Sequence, residues 1–313
     1  MFQFLTLGFP FSYLSLGFGF LFGIGITLAT VSVFASAVLF LCIYTGILRI
    51  TPLFQFIQQV IHGIFPLQEK QLRRSIQTMF RVESKTEIDK KPYILLFHPH
   101  GAFSVSYFFH TMTRLTNWPI SLRGGKACVL RYLYWVPFGQ EILDGLGGVP
   151  NKYVAMKEVL EGNQSLYVIP GGIREMYDTK PGEMRVKILQ RKGVFRLALE
   201  TGTPLIPVLT YGENELYTLL KNPHFNRLQN FLKQWDLILP IPSWSSVKRW
   251  LGLCVGEVKH VLQTVIGEPV EVSKMSVVTD EAINTLQLQY IQALKQLYKT
   301  TKPSSYAEEL FVE

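Results

Sequence analysis

The sequence predicts an α/β protein, a mostly parallel sheet flanked by helices, preceded by an N-terminal transmembrane helical hairpin. Three observations predict it. The first 48 of 313 residues contain no Asp, Glu, Lys, Arg or His. Short apolar runs at 93–97, 165–169 and 205–209 each end near a Gly- or Pro-containing turn. Stretches suited to helix separate those runs, and strands alternating with helices argue for a parallel sheet.

The hairpin comes first in the chain. The uncharged run from Leu7 to Leu48 is 42 residues, whereas one helical span needs roughly 20. A signal peptide would open with positive charge and carry an apolar core of about 7–15 residues. Met1-Phe2-Gln3 carries no side-chain charge and the run is too long, which argues against cleavage. The favoured reading is two helices, Pro10–Thr27 and Val31–Leu48, turning near Leu28–Thr30; a single tilted or re-entrant segment is the alternative. Gly19 and Gly23 form a small-xxx-small pair that lets helices approach closely. Arg49, the first charge, places both ends on the cytosolic side by the positive-inside tendency.

Residues 51–66 follow as an amphipathic helix. Leu53, Phe54, Phe56, Ile57, Val60, Ile61, Ile64 and Phe65 repeat with helical period, opposite Gln55, Gln58, Gln59 and His62. That pattern suits a helix lying in a membrane interface, or one packed on the domain. Pro66 ends it. Residues 67–313 then read as one domain of ordinary size.

Charge and cysteine content narrow the class. The formal net charge is +8, which suits an anionic surface or a phosphate-bearing ligand. Neither zinc-ligand spacing nor aromatic-basic interleaving is present, so nucleic acid is not expected as a partner. Cys42, Cys128 and Cys254 lie far apart and fit neither a disulfide framework nor a metal site.

In the domain, Tyr93–Phe97, Ser165–Ile169 and Leu205–Leu209 read as buried strands, and Tyr107–Leu115, Ala127–Leu133, Tyr153–Leu160 and Val186–Glu200 as helices. Sites in such sheets form outside the carboxyl ends of strands. The turns at His98, Gly171 and Gly212 all sit there.

Three motifs carry candidate chemistry. In His98-Pro99-His100-Gly101, followed by Ser104, proline stiffens the turn and glycine admits a close ligand. A histidine held there can act as a base near neutral pH. A structural or ligand role stays open, although the remaining histidines are scattered. In Pro170-Gly171-Gly172-Ile173-Arg174-Glu175, Glu175 could orient a histidine and Arg174 could meet a phosphate; an exposed ion pair is the bland account. Arg191, Lys192 and Arg196, with Arg185 and Lys187 upstream, suit either a solvated surface or a cofactor carrying several phosphates.

These blocks, with Tyr211-Gly212-Glu213-Asn214, Pro181-Gly182 and Val265-Ile266-Gly267-Glu268-Pro269, resemble the type 2 diacylglycerol acyltransferase family, which includes monoacylglycerol acyltransferases and wax synthases. The likeness runs from about residue 50 to 275 in the family's order. It implies a glycerol-phosphate-acyltransferase-like fold and transfer of an acyl group from acyl-CoA to diacylglycerol, giving triacylglycerol; the same transfer to monoacylglycerol or a long-chain alcohol is the alternative, and a noncatalytic lipid-binding membrane protein is the reading from another class. Acyl-CoA is then a co-substrate, with no metal and no permanently bound cofactor. Diacylglycerol or a related apolar alcohol and membrane lipids are the implied partners; a homo-oligomer stays open. The implied location is the endoplasmic reticulum membrane, multi-pass, with lipid droplets as a second site.

The resemblance makes His100 the base, with His98 as the alternative. In the related glycerol-phosphate enzymes an aspartate follows the histidine with four residues between them. That position is Val105 here, and Glu175 is the expected acidic replacement. Arg174, Arg185, Lys187, Arg191, Lys192 and Arg196 are the candidates for the nucleotide phosphates. Gly101, Ser104, Gly171, Gly172, Glu213 and Asn214 are candidates for the substrate or oxyanion region. Two departures stand out. Tyr211 replaces the family's usual phenylalanine, and 243–262 lacks its glycine/arginine-rich block.

Overall fold

The computed structural model describes residues 76–89, 91–113, 115–135, 139–217, 243, 262–307 and 309–313. The strands are β1 (Phe80–Ser84), β2 (Ile94–His98), β3 (Lys126–Val129), β4 (Gly148–Pro150), β5 (Leu166–Val168), β6 (Arg185–Val186), β7 (Leu205–Tyr211), β8 (Leu262–Ile266) and β9 (Phe311–Val312). The helices are α1 (Val105–Tyr107), α2 (Gly139–Gly145), α3 (Tyr153–Glu161), α4 (Gly172–Asp178), α5 (Lys192–Thr201), α6 (Glu213–Leu216) and α7 (Asp280–Thr301).

Seven strands form one sheet in the order β1-β8-β7-β2-β5-β3-β4. The β7–β8 pair is antiparallel and the other pairs are parallel, so the sheet is mixed. β2 sits at the centre, between β7 and β5. Its continuous apolar run follows from burial on both faces. Ile94 and Leu96 enter one core with Phe195, Tyr290 and Leu294. Leu95 and Phe97 enter another with Tyr107, Trp118 and Tyr167.

The largest helix closes the first of these cores. Along α7, Ile283, Leu286, Gln287, Tyr290, Ile291, Leu294, Leu297 and Tyr298 are buried, the spacing of one helical face. The Thr279 side chain accepts from Ala282 N–H at the start, satisfying one of the first-turn donors. Each fully buried Leu or Ile contributes roughly 1.5–3 kcal/mol.

Several expectations need correction. The sheet expected to be mostly parallel is a mixed one, because β8 returns antiparallel against β7 and carries β1 with it. The stretch Ala127–Leu133, expected as a helix, is β3 and a 3₁₀ segment, Arg131–Trp135. Pairing with both β4 and β5 overrides local preference there. The helix expected from Val186 begins only at Lys192, since Val186 pairs with Val312 in a two-stranded sheet. Tyr107 ends α1, and the chain continues as a π-turn over Phe108–Met112.

The expected transmembrane hairpin finds no support in the described fold. Among the described residues no helix is long and apolar enough to cross a membrane. α7 has the length, at 22 residues, but carries Asp280, Glu281, Lys295 and Lys299. Residues 1–50 and the interfacial helix expected over 51–66 lie outside the described residues. The described residues likewise give no support to the multi-pass endoplasmic reticulum and lipid-droplet placement that the resemblance implied.

Candidate active site

The three motif-bearing turns follow β5, β2 and β7, which are neighbours in the sheet. Their carboxyl ends therefore bring His98–Gly101, Gly171–Glu175 and Gly212–Asn214 together, as open α/β sheets do at their sites.

His98 and His100 have different fates. His98 is the last residue of β2 and is 1% exposed. Its Nε2 meets the Tyr290 hydroxyl at 3.0 Å, and Nδ1 has no partner among the described residues. Burial pulls the imidazole down to about 3, so it stays neutral and weakly basic. His100, two residues on, is half-buried. Its value is also lowered by burial, with the Gly101 carbonyl acting in the opposite sense.

The hydrogen bonds of His100 fix its tautomer. Nδ1 lies 2.9 Å from the Gly101 carbonyl oxygen, which can only accept. Ser104 Oγ lies 3.1 Å from the same nitrogen while donating to the His100 carbonyl at 2.7 Å. With its proton engaged, Ser104 also accepts at Nδ1. Both partners therefore call for Nδ1–H and leave the lone pair on Nε2, which has no partner among the described residues. Ser104 performs this from a left-handed conformation, φ 46°, a strained state for a residue with a side chain.

Two buried carboxylates hold this turn by its backbone. Glu175, 2% exposed, accepts the His100 N–H at 2.5 Å and the Lys187 N–H at 3.0 Å. It grips the main chain of the histidine; the ring is served by Ser104. Glu213, 1% exposed, accepts the Val105 and Ser106 N–H groups at 2.5 and 3.0 Å. Burial pushes each carboxyl up to about 7 against these hydrogen bonds. For Glu175 the neighbouring Arg191 and Lys187 charges also act downward. Asn214 is buried too, and its Nδ2 donates to the Glu183 carbonyl. Glu213 and Asn214 are thus anchors beneath the site.

The basic residues divide in two. Arg185 pairs with Glu183 and Glu313, Lys187 with Asp178 and Glu313, and Arg196 with Asp280. Arg174 donates to Gln190, and Arg191 donates to the Gly171 carbonyl at 2.9 Å. Lys192 is exposed at the start of α5. Arg174, Arg191 and Lys192 have no carboxylate partner among the described residues, and Arg191 lies against Gly171–Gly172.

Other chemistry is disfavoured on physical grounds. The Cys128 thiol is pushed up to about 12 by burial and contacts Met156 Sδ at 3.6 Å, so it is a poor nucleophile. Among the described residues no group of His, Cys, Asp or Glu could hold a metal. A cleft of 460 Å³ opens at the opposite rim of the sheet, lined by Lys91, Asn163, Thr203, Glu271 and Lys274 among others. None of the candidate site residues lines it, so volume alone does not locate the chemistry.

Sequence reasoning passed over three features. Ser104 as the ring's partner is one; its spacing four residues after His100 was the available signal. His110 is another, buried between Thr116 and Thr264 and stacked on Trp118 at 4.9 Å. The third is Tyr306, described below. The unusual Tyr211 hydroxyl finds Thr301 Oγ1 at 2.8 Å, which explains how the fold accommodates it.

A half-buried histidine with a fixed tautomer, at the carboxyl end of a central strand, is placed to act as a base. The chain belongs to the diacylglycerol acyltransferase family, whose sequence pattern matches residues 51–310. It is 30% identical to diacylglycerol O-acyltransferase 2 of Dictyostelium discoideum, over 70% of this chain and 69% of that one. It is 31% identical to 2-acylglycerol O-acyltransferase 1 of Homo sapiens, over 67% and 65%. With acyl-CoA wax alcohol acyltransferase 2 of Mus musculus the identity is 29%, over 74% and 73%. The chain thus spans about two thirds of the length of these relatives. Among solved structures, the LPA acyltransferase PlsC of Thermotoga maritima is similar at a TM-score of 0.43 and 15% identity, covering 80% of this chain and 94% of that one. That likeness is too distant to build on.

Proposed function

We propose that the chain transfers a fatty acyl group from acyl-CoA to the free hydroxyl of diacylglycerol, with His100 as general base. The observation that carries this reading is the Nδ1 of His100 held by Gly101 and Ser104, which leaves Nε2 to take a proton. The hydroxyl oxygen attacks the thioester carbonyl carbon as its proton passes to Nε2. The resulting oxyanion collapses, the C–S bond breaks, and the coenzyme A thiolate recovers the proton from the imidazolium. General base catalysis of this kind contributes about 10²–10⁴-fold.

The N–H groups of Gly101 and Ala102 have no acceptor among the described residues and lie beside the base, which favours them as oxyanion donors. Arg174, Arg191 and Lys192 are the residues assigned to the phosphates of the acyl donor. Monoacylglycerol or a long-chain alcohol would undergo the same steps, and the named relatives favour each of the three acceptors alike.

The test is transfer from labelled acyl-CoA by purified full-length protein in mixed micelles. Diacylglycerol, monoacylglycerol and a fatty alcohol are offered separately to wild type and His100→Ala. A triacylglycerol product that disappears in His100→Ala supports the reading. Product on another acceptor replaces diacylglycerol, and undiminished product in His100→Ala removes His100 as the base.

A further inference from the structure

The two glutamates that hold the histidine turn are themselves held from a distant part of the sequence. After α7 the described residues 302–307 and 309–313 lie back toward the site. Ala307 N–H donates to the Gly182 carbonyl at 3.2 Å, and β9 pairs with β6. The Glu313 N–H donates to the Val186 carbonyl, and its own carbonyl accepts from Ile188 and Leu189. Glu313 Oε1 and Oε2 reach Arg185 and Lys187 at 3.1 and 3.3 Å. Lys187 is the residue whose N–H enters Glu175.

A second grip is made by one side chain. The Tyr306 hydroxyl accepts the Gly212 N–H at 2.6 Å and donates to Glu215 Oε2 at 2.8 Å. Glu215 Oε1 accepts the Gly182 N–H at 2.8 Å. The Tyr306 ring packs edge-on against Tyr211 at 5.2 Å. Gly212, at φ 91°, is the residue immediately before Glu213. A single phenol–carboxylate link therefore joins the 181–182 turn, the 211–215 turn and the tail.

We infer that Tyr306 and Glu215 are positioning residues for His100, clasping the 211–215 turn, whose buried Glu213 holds the chain just after the histidine loop, to the 181–182 turn. The geometry permits little else for this link. The two Glu215 oxygens are taken up by Gly182 and Tyr306, and among the described residues Tyr306 makes no hydrogen bond or ring contact with the His98–Ser104 turn. Both act through Gly212 and Glu213. This inference rests on the role given to His100 above, and its test carries a readout independent of turnover.

Tyr306→Phe removes both bonds of the hydroxyl while keeping the ring. Glu215→Gln keeps an acceptor for Gly182 and loses the one for Tyr306. Each is expected to lower kcat about tenfold, equivalent to about 1.4 kcal/mol, with KM for the acyl donor unchanged. The double variant should lose no more than either single one, because both break one link. Ile283→Ala, in the core under α7, supplies a control that lowers Tm without touching the clasp.

The second readout is the rate at which diethyl pyrocarbonate modifies His100, followed by peptide mass spectrometry. The clasp predicts a several-fold change in that rate in Tyr306→Phe and none in Ile283→Ala. Equal rates in wild type and Tyr306→Phe overturn it, as does a kcat loss that tracks Tm equally in Ile283→Ala. Wild type that transfers no acyl group to any acceptor removes the proposed function, while the modification rate still decides the clasp.

Discussion

Gly101 and Glu213 compete for the same space: a Cβ added to the glycine would lie 2.7 Å from the glutamate Cγ. The glycine also sits at φ 61°, where an L side chain is strained. The last residue of the histidine motif is therefore small because a carboxylate from another strand end fills the room beside it. Gly101→Ala should cost about 2 kcal/mol or more from overpacking and backbone strain together, lowering Tm by about 4–8 °C. Thermal unfolding beside a turnover assay checks this, with turnover falling further than stability.

Ser104→Ala should lower kcat by about three- to tenfold and leave KM nearly unchanged. The loss is modest because the Gly101 carbonyl still holds Nδ1–H after the hydroxyl has gone. His100→Ala should cost about 10²-fold or more. Steady-state kinetics of both variants check the ranking, and equal losses would contradict it.

Glu175 and Glu213 give stability an unusual pH dependence. Each has a folded-state value near 7 against 4.5 for the ordinary carboxyl, and burial is the leading cause. The folded chain therefore binds the extra proton within that window, so these groups' contribution falls as pH rises from about 4.5 to 7. The change is up to about 3 kcal/mol for each. Denaturant unfolding across the window checks the slope, which should flatten in Glu175→Gln and Glu213→Gln.

Cys128→Ala should keep kcat within about twofold of wild type, since the thiol has no place in the proposed transfer. Its value near 12 and its contact with Met156 argue for inert packing. Kinetics before and after treatment with iodoacetamide give the second check, with no covalent acyl group found on this cysteine.

Arg174→Ala and Lys192→Ala should each raise KM for the acyl donor by about three- to tenfold, with little change in kcat. Added salt should raise KM in wild type and narrow the difference between variants, because exposed charges are screened. Arg191 makes a poorer probe, as it also donates to the Gly171 carbonyl.

The site was more legible in the sequence than its supports. His98-Pro99-His100-Gly101 and Gly171–Glu175 announce themselves because turns at strand ends need glycine and proline. The run 94–97 reads as a buried strand because both faces of β2 are covered. By contrast, β3 carries only a short apolar stretch, and its partners β4 and β5 determine its conformation. The role of Glu175 was only partly visible. A short motif shows that a carboxylate is near a histidine, while the choice between ring and backbone depends on how two turns pack. Lys187 and Arg196 read as free charge because their partners Asp178, Glu313 and Asp280 come from other elements of the fold, as does Glu313, the second partner of Arg185.

The separation of the two rims of the sheet has a practical side. Asn163 lies in the exposed turn between α3 and β5, at φ 58°, on the rim away from His100. Exposed turns of this kind tolerate inserted residues best. A fluorophore or an immobilising tag placed there would be attached behind the chemistry, leaving the histidine turn free to meet its substrates.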